Sequence, residues 1–195
     1  MKQLKSIVVF CGGSSGRRTI YTEEAYKLGT ILAENDIKLI YGAGGTGVMR
    51  AVANGALDHD GYVIGATIQS LYTRERPDLV MSKIKKTEIW HTLADRKVSM
   101  TKQADAVCIL PGGFGTMDEL FELLTLRQLG ISTQPIVLVN INGFFDTLYK
   151  LLLEMVGEGF VRPHQIGLFR IVKTVDEVLP TIYDELERQE TQQKK

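Results

Sequence analysis

Short apolar runs alternate with amphipathic stretches along this chain. Ser6–Phe10 is apolar and β-branched, which predicts a strand, and Tyr21–Asn35 sets Ala25, Leu28, Ile31 and Leu32 at helical spacing. Ile37–Tyr41, Tyr62–Thr67, Lys86–Trp90, Ala106–Leu110 and Ile136–Val139 predict further strands. Helices are expected over Val48–Leu57, Thr92–Gln103, Thr116–Leu129, Phe144–Gly157 and about Val175–Glu187. Most of the strands are continuous apolar runs, as parallel strands are when helices cover both faces. Strands and helices that alternate at this spacing predict an α/β fold, a doubly wound parallel sheet flanked by helices. Residues 1–186 are read as one domain and 187–195 as a polar, frayed C-terminal tail. Gln69–Lys86 is polar and basic and reads as a surface loop with a potential lid role.

Right-handed crossovers bring all strand C-termini to one edge, where ligands of such sheets bind. Three glycine loops fall at that edge: Gly12-Gly13-Ser14-Ser15-Gly16, Gly42-Ala43-Gly44-Gly45-Thr46-Gly47 and Pro111-Gly112-Gly113-Phe114-Gly115-Thr116. The third follows a strand and opens a helix. Glycines admit close approach of a ligand to the backbone, and a helix N-terminus offers free N–H groups and partial positive charge, so the segment suits a phosphate. Gly42-x-Gly44-x-x-Gly47 also matches a dinucleotide fingerprint. That fingerprint needs an acid at the end of the next strand for a ribose hydroxyl, and Ala66-Thr67-Ile68-Gln69 supplies none. No Gly-Lys-Ser or Gly-Lys-Thr follows any glycine loop, so no Walker P-loop is present.

Glu119 lies one turn beyond the third loop. It is either the acid of a Thr116-x-x-Glu119 capping box or a carboxylate acting on whatever the loop holds. Asp118 beside it fits the first-turn preference for acids. Arg96-Lys97, on the preceding helix, would supply cations for phosphate or carboxylate, with Arg17 and Arg18 as further candidates. His59, His91 and His164 are far apart and have no partners at metal-ligand spacing, so no metal site is expected.

The 195 residues suit one domain with a sizeable core, and 44% apolar with 24% charged residues is ordinary for a globular protein. Lysine plus arginine equals aspartate plus glutamate, so net charge gives no pull toward nucleic acid or membrane. Cys11 and Cys108 are isolated and read as buried free thiols, and the apolar run ending at Cys11 is too short for a signal core or membrane span. A cytoplasmic location is expected.

These residues resemble the LOG family, the "lonely guy" cytokinin-activating phosphoribohydrolases once labelled "possible lysine decarboxylase". The pattern Pro-Gly-Gly-x-Gly-Thr-x-x-Glu is matched in full at Pro111–Glu119, and the Arg-Lys element at Arg96-Lys97. Val9–Gly16 and Tyr41–Met49 are similar to the family's first and second loops, and the likeness spans about Ile7 to Val161. The resemblance implies a Rossmann-like homodimer that hydrolyses the N-glycosidic bond of nucleoside 5′-monophosphates, often those of N6-modified adenines, without a cofactor. Carried over, Arg96 and Glu119 are catalytic. Gly112, Gly113, Gly115 and Thr116 cradle the phosphate, with Lys97, Gly13, Ser14, Gly45 and Thr46 as further binding residues. Two departures stand out. The family's Met-His ahead of the Arg-Lys pair is Leu93-Ala94 here, followed by Asp95, and Arg50 stands where glycine often follows the second-loop methionine. The decarboxylase label finds no support, since no Schiff-base lysine with a phosphate cup can be pointed to. The alternative to hydrolysis is a non-catalytic carrier of a nucleotide or phosphorylated cofactor, as in molybdenum-cofactor carriers.

Overall fold

The computed structural model describes residues 4–75 and 83–193. Seven strands, β1 (Ser6–Phe10), β2 (Lys38–Tyr41), β3 (Val63–Ile68), β4 (Lys86–Trp90), β5 (Ala106–Ile109), β6 (Ile136–Val139) and β7 (Arg170–Val172), form one sheet in the order β4-β3-β2-β1-β5-β6-β7. Every pairing is parallel. The helices are α1 (Ile20–Glu34), α2 (Gly47–Leu57), α3 (Gln69–Glu75), α4 (Leu93–Gln103), α5 (Phe114–Gln128), α6 (Asp146–Gly157) and α7 (Val178–Gln193).

Alternation along β1 divides the core. Ile7, Val9 and Cys11 join Leu28, Leu32, Val52 and Ile182 of α1, α2 and α7 on one face. Val8 and Phe10 join Met100, Leu120, Leu123 and Leu152 of α4, α5 and α6 on the other. The central strands β1 and β5 are buried on both sides, whereas β4, at the sheet edge, is largely exposed. The chain winds outward from β1 through β4, then crosses to β5 on the other side of β1. The connections after β1 and β5 therefore diverge and leave a crevice at their carboxyl ends, the switch point of a doubly wound sheet.

The structure departs from the sequence-based expectations in several places. Gln69–Glu75 is helical, not loop, while residues 76–82, on which the lid expectation also falls, lie outside the described residues. The last helix continues to Gln193 instead of fraying from Glu187. Gln189 explains part of this, because its side-chain amide donates to the Thr133 carbonyl at 2.8 Å, an anchor that a search for apolar positions passes over. The helix expected from Phe144 starts at Asp146, after a tight turn in which Asn142 and Gly143 both have positive φ. Strand β7 was not expected, since three residues carry no measurable periodicity.

Candidate active site

The switch-point crevice is a cleft of about 400 Å³. The loop after β1 and the loop after β5 form its two sides, and Met49 of α2 also lines it. Backbone bonds tie the three glycine loops together. Gly12 N–H donates to the Pro111 carbonyl at 3.1 Å, and Met49 N–H donates to the Gly12 carbonyl at 3.1 Å. The Thr46 hydroxyl donates to the Gly13 carbonyl at 2.7 Å.

Two of the glycines are required by packing. A Cβ on Gly112 would sit 2.1 Å from Thr116 Oγ1 and 2.8 Å from the Gly12 nitrogen. Gly47 has φ +62°, and a Cβ there would lie 2.4 Å from the Gly13 carbonyl oxygen. Gly13, Gly113 and Gly115 are different. A Cβ on any of them would meet no atom within 4 Å, and all three line the cleft. Their missing side chains keep the cleft open on the side of these loops.

Helix α5 begins at Phe114 with Gly113 as its N-cap, two residues earlier than the sequence pattern suggests. No side chain caps it, and its first backbone bond runs from Met117 N–H to the Gly113 carbonyl at 3.1 Å. The N–H groups of Phe114, Gly115 and Thr116 precede that ladder and stand at the positive end of the helix dipole. Thr116 is thus inside the first turn, and the Thr116–Glu119 capping box does not form. This removes the capping-box reading of Glu119.

Glu119 is instead buried in the wall of the cleft, 6% exposed, with Arg96 of α4 equally buried. Arg96 Nη2 lies 3.5 Å from Glu119 Oε1, a long ion pair with room for adjustment. Burial pushes the Glu119 carboxyl up to about 7, with Arg96 pulling the other way and Asp118 adding to the rise. A carboxyl poised near neutrality can exchange a proton with a reacting group. Cys11 also lines the cleft, and burial together with Glu119 pushes its thiol well above the usual range, so it is an inert wall.

Of the expected binding residues, Gly13, Ser14, Gly112, Gly113, Gly115 and Thr116 line the cleft, together with Arg96 and Glu119. Gly45 and Thr46 do not line it; Thr46 serves by clamping the first loop to the second. Lys97 does not line it either. Its ammonium is held by Asp118 at 2.7 Å and Glu122 at 2.6 Å, on the other side of the α4–α5 pair. Arg17 and Arg18 are exposed and lie outside the lining. Sequence reasoning missed Tyr21 and Phe144, which stand edge to face with ring centroids 5.9 Å apart and close one side of the cleft. An aromatic at the start of a helix carries no signal of its own in the sequence. Among the described residues, no group of three or more histidines, cysteines or acids could hold a metal ion.

A parallel sheet whose switch point opens on a bare helix N-terminus defines a Rossmann-like fold. Comparison with known proteins narrows this class. Residues 49–182 match the family described as "Possible lysine decarboxylase". The cytokinin riboside 5′-monophosphate phosphoribohydrolase LOG7 of Arabidopsis thaliana is 40% identical over 162 residues, 83% of this chain and 73% of that protein. LOG1 of the same plant is 34% identical over 188 residues, 96% of this chain and 87% of that protein. The chain belongs to the LOG family. Its fold is also that of the molybdenum cofactor carrier protein of Chlamydomonas reinhardtii, with a TM-score of 0.71 over 95% of this chain and 99% of that one, at 18% identity.

Proposed function

We propose that this protein hydrolyses the N-glycosidic bond of nucleoside 5′-monophosphates, N6-modified adenosine monophosphates among them, to free base and ribose 5-phosphate. The observation that carries the reading is the buried Arg96–Glu119 pair set in the same cleft as an uncapped, glycine-flanked helix end. The relatives at 34–40% identity, whose names describe that reaction, support it.

In this reading the 5′-phosphate accepts hydrogen bonds from the N–H groups at the start of α5, with Gly13 and Ser14 facing it across the cleft. Scission of the C1′–N bond sends its electron pair to the base and leaves positive charge on C1′ and the ring oxygen. Ionised Glu119 stabilises that charge and takes a proton from the attacking water as the water oxygen bonds to C1′. The departing base takes up a proton from solvent. Arg96 orients Glu119 and favours its ionised form. The bound phosphate anchors the sugar, so that binding energy far from the reacting bond positions C1′.

Incubation with AMP, GMP, CMP and an N6-modified AMP, read by mass spectrometry, tests the reading. Equal amounts of base and ribose 5-phosphate are expected from at least one nucleotide. Tight binding with no product from any of them would favour a carrier, the reading to which the fold likeness to molybdenum-cofactor proteins lends support.

The pH dependence follows from Glu119. The reactive form is the carboxylate, so kcat/KM should rise with pH through a midpoint near 7 and level off above it. The bound phosphate adds negative charge nearby, so the kcat midpoint should lie higher than that of kcat/KM. The phosphate's own second ionisation, near about 6, is read separately from the pH dependence of ribose 5-phosphate binding. A flat profile from pH 5 to 9 (~two units either side of that midpoint) would contradict the role of Glu119.

The proposal extends to a homodimer. A groove of about 450 Å³ between α4 and α5 is lined by Val98, Leu123, Leu126 and Ile131, and Ile131 is 69% exposed. Lys97, Lys102, Glu119 and Glu122 also border this largely apolar groove, and a second copy is its proposed occupant. Sedimentation at micromolar concentration should give the dimer mass, and a monomer would contradict it. A reducing, cytoplasmic setting is proposed on the two buried free thiols, Cys11 and Cys108. Among the described residues no helix is long and apolar enough to cross a membrane.

A further inference from the structure

Arg96 and Lys97 are neighbours on α4, and Asp118 and Glu119 are neighbours on α5. The two helices are joined by two rows of charge. In the inner row Arg96 meets Glu119 at the cleft. In the outer row Lys97 Nζ bridges Asp118 Oδ2 at 2.7 Å and Glu122 Oε2 at 2.6 Å. The Lys97 side chain is only 15% exposed, so this contact is better shielded than an ordinary surface pair. Asp118 and Glu122 are one helical turn apart, and one ammonium spanning both fixes the rotation of α5 about its axis as well as its distance from α4. Glu119 lies between them in sequence, so its direction is set by that rotation.

We propose that Lys97 is a positioning residue for the Arg96–Glu119 pair, acting through Asp118 and Glu122 rather than by touching a substrate phosphate. The inference rests on the hydrolase reading for its catalytic consequences but not for its structural ones. The charged groups around Glu119 are Arg96 and Lys97 from α4 and Asp118 and Glu122 from α5, and the Cys11 thiol at the end of β1 also couples to it. Removing the lysine charge leaves two carboxylates uncompensated beside Glu119, which makes its ionisation harder.

The test uses Lys97→Met and Lys97→Arg in the full chain, with kinetics and a ¹³C NMR titration of the Glu119 carboxyl assigned by loss of its signal in Glu119→Gln. In Lys97→Met the Glu119 midpoint should move up by about one unit, kcat should fall roughly tenfold or more, and KM should change little. Lys97→Arg should recover most of both. Asp118→Asn provides a second variant at an exposed position, and it should move the midpoint down. An unchanged midpoint in Lys97→Met would overturn the proposal. So would a rise in KM at constant kcat, which would place the ammonium on the substrate phosphate. A wild-type protein with no turnover would remove the hydrolase reading, yet the shift in the titration would still decide the placement of Lys97.

Discussion

Glu119→Gln is expected to lower kcat by about 10³-fold, within the range usual for loss of a general base, while leaving nucleotide affinity within a fewfold of the wild type. The amide keeps the shape of the carboxyl and its place against Arg96, but it can neither take a proton from water nor carry the charge that meets the developing cation. A second consequence separates this account from a simple packing role. Burial raises the Glu119 carboxyl from its ordinary 4.5 to about 7 in the folded protein. Between those values the native state holds a proton that the unfolded state has released, so stability falls as pH rises through that window. Above it the cost is fully present, about 3 kcal/mol by linkage. Glu119→Gln is free of that cost. Its melting temperature should match the wild type near pH 4 and exceed it increasingly toward pH 8 (roughly one unit past the midpoint). Turnover lost together with a gain in stability marks a residue held in place for chemistry. A variant that keeps its activity, or that loses stability at every pH, would point back to a structural role.

Removal of the 5′-phosphate from the substrate is expected to have an effect of similar size. Adenosine should show kcat/KM about 10³-fold or more below AMP, because the sugar loses the anchor that presents C1′ to Glu119. Gly113→Ala tests the same point from the protein side. Nothing in the chain opposes a Cβ there, and its φ of −96° is open to alanine, so the fold should persist with an unchanged melting temperature. The new methyl group would stand in the cleft where the phosphate approaches the start of α5, so KM for AMP should rise by about tenfold or more. Ribose 5-phosphate should lose inhibitory potency in parallel. Comparable rates on adenosine and AMP would contradict the phosphate anchor. Unchanged KM in Gly113→Ala would move the phosphate to another part of the cleft. Gly112→Ala is a contrasting case, since its Cβ would strike Thr116 and Gly12, and there the folded state itself should suffer.

Much of the framework was legible in the sequence because the buried parallel strands are continuous apolar runs. Ser6–Phe10 and Ile136–Val139 appear as strands with the boundaries that the pattern suggests, and the exposed edge strand Lys86–Trp90 does so without being an apolar run. The loops that build the cleft were visible as three glycine clusters falling at one edge of the sheet, where any one alone could be a tight turn. What the sequence concealed lies in side-chain geometry. Thr116-x-x-Glu119 satisfies the capping-box pattern, and only the start of α5 at Phe114 shows that the box is not made. Arg96 and Lys97 are adjacent cations, and the sequence does not show that they face different ways. Helical rotation sends one into the cleft and the other to Asp118 and Glu122. Gly45 and Thr46 looked equivalent to Gly13 and Ser14, yet they stand behind the first loop and not in the cleft. Tyr21 and Phe144 are distant in the sequence, and only the fold brings their rings together. The changed Leu93-Ala94-Asp95 segment is exposed at the start of α4, where Thr92 accepts a hydrogen bond from the Asp95 N–H and caps the helix.

The most direct measurement is a crystal structure of Glu119→Gln with intact AMP bound. The account predicts the phosphate against the backbone of Gly113–Thr116 and the anomeric carbon facing residue 119, with Arg96 alongside. A nucleotide whose phosphate lies away from the start of α5, or whose anomeric carbon is turned from residue 119, would contradict it.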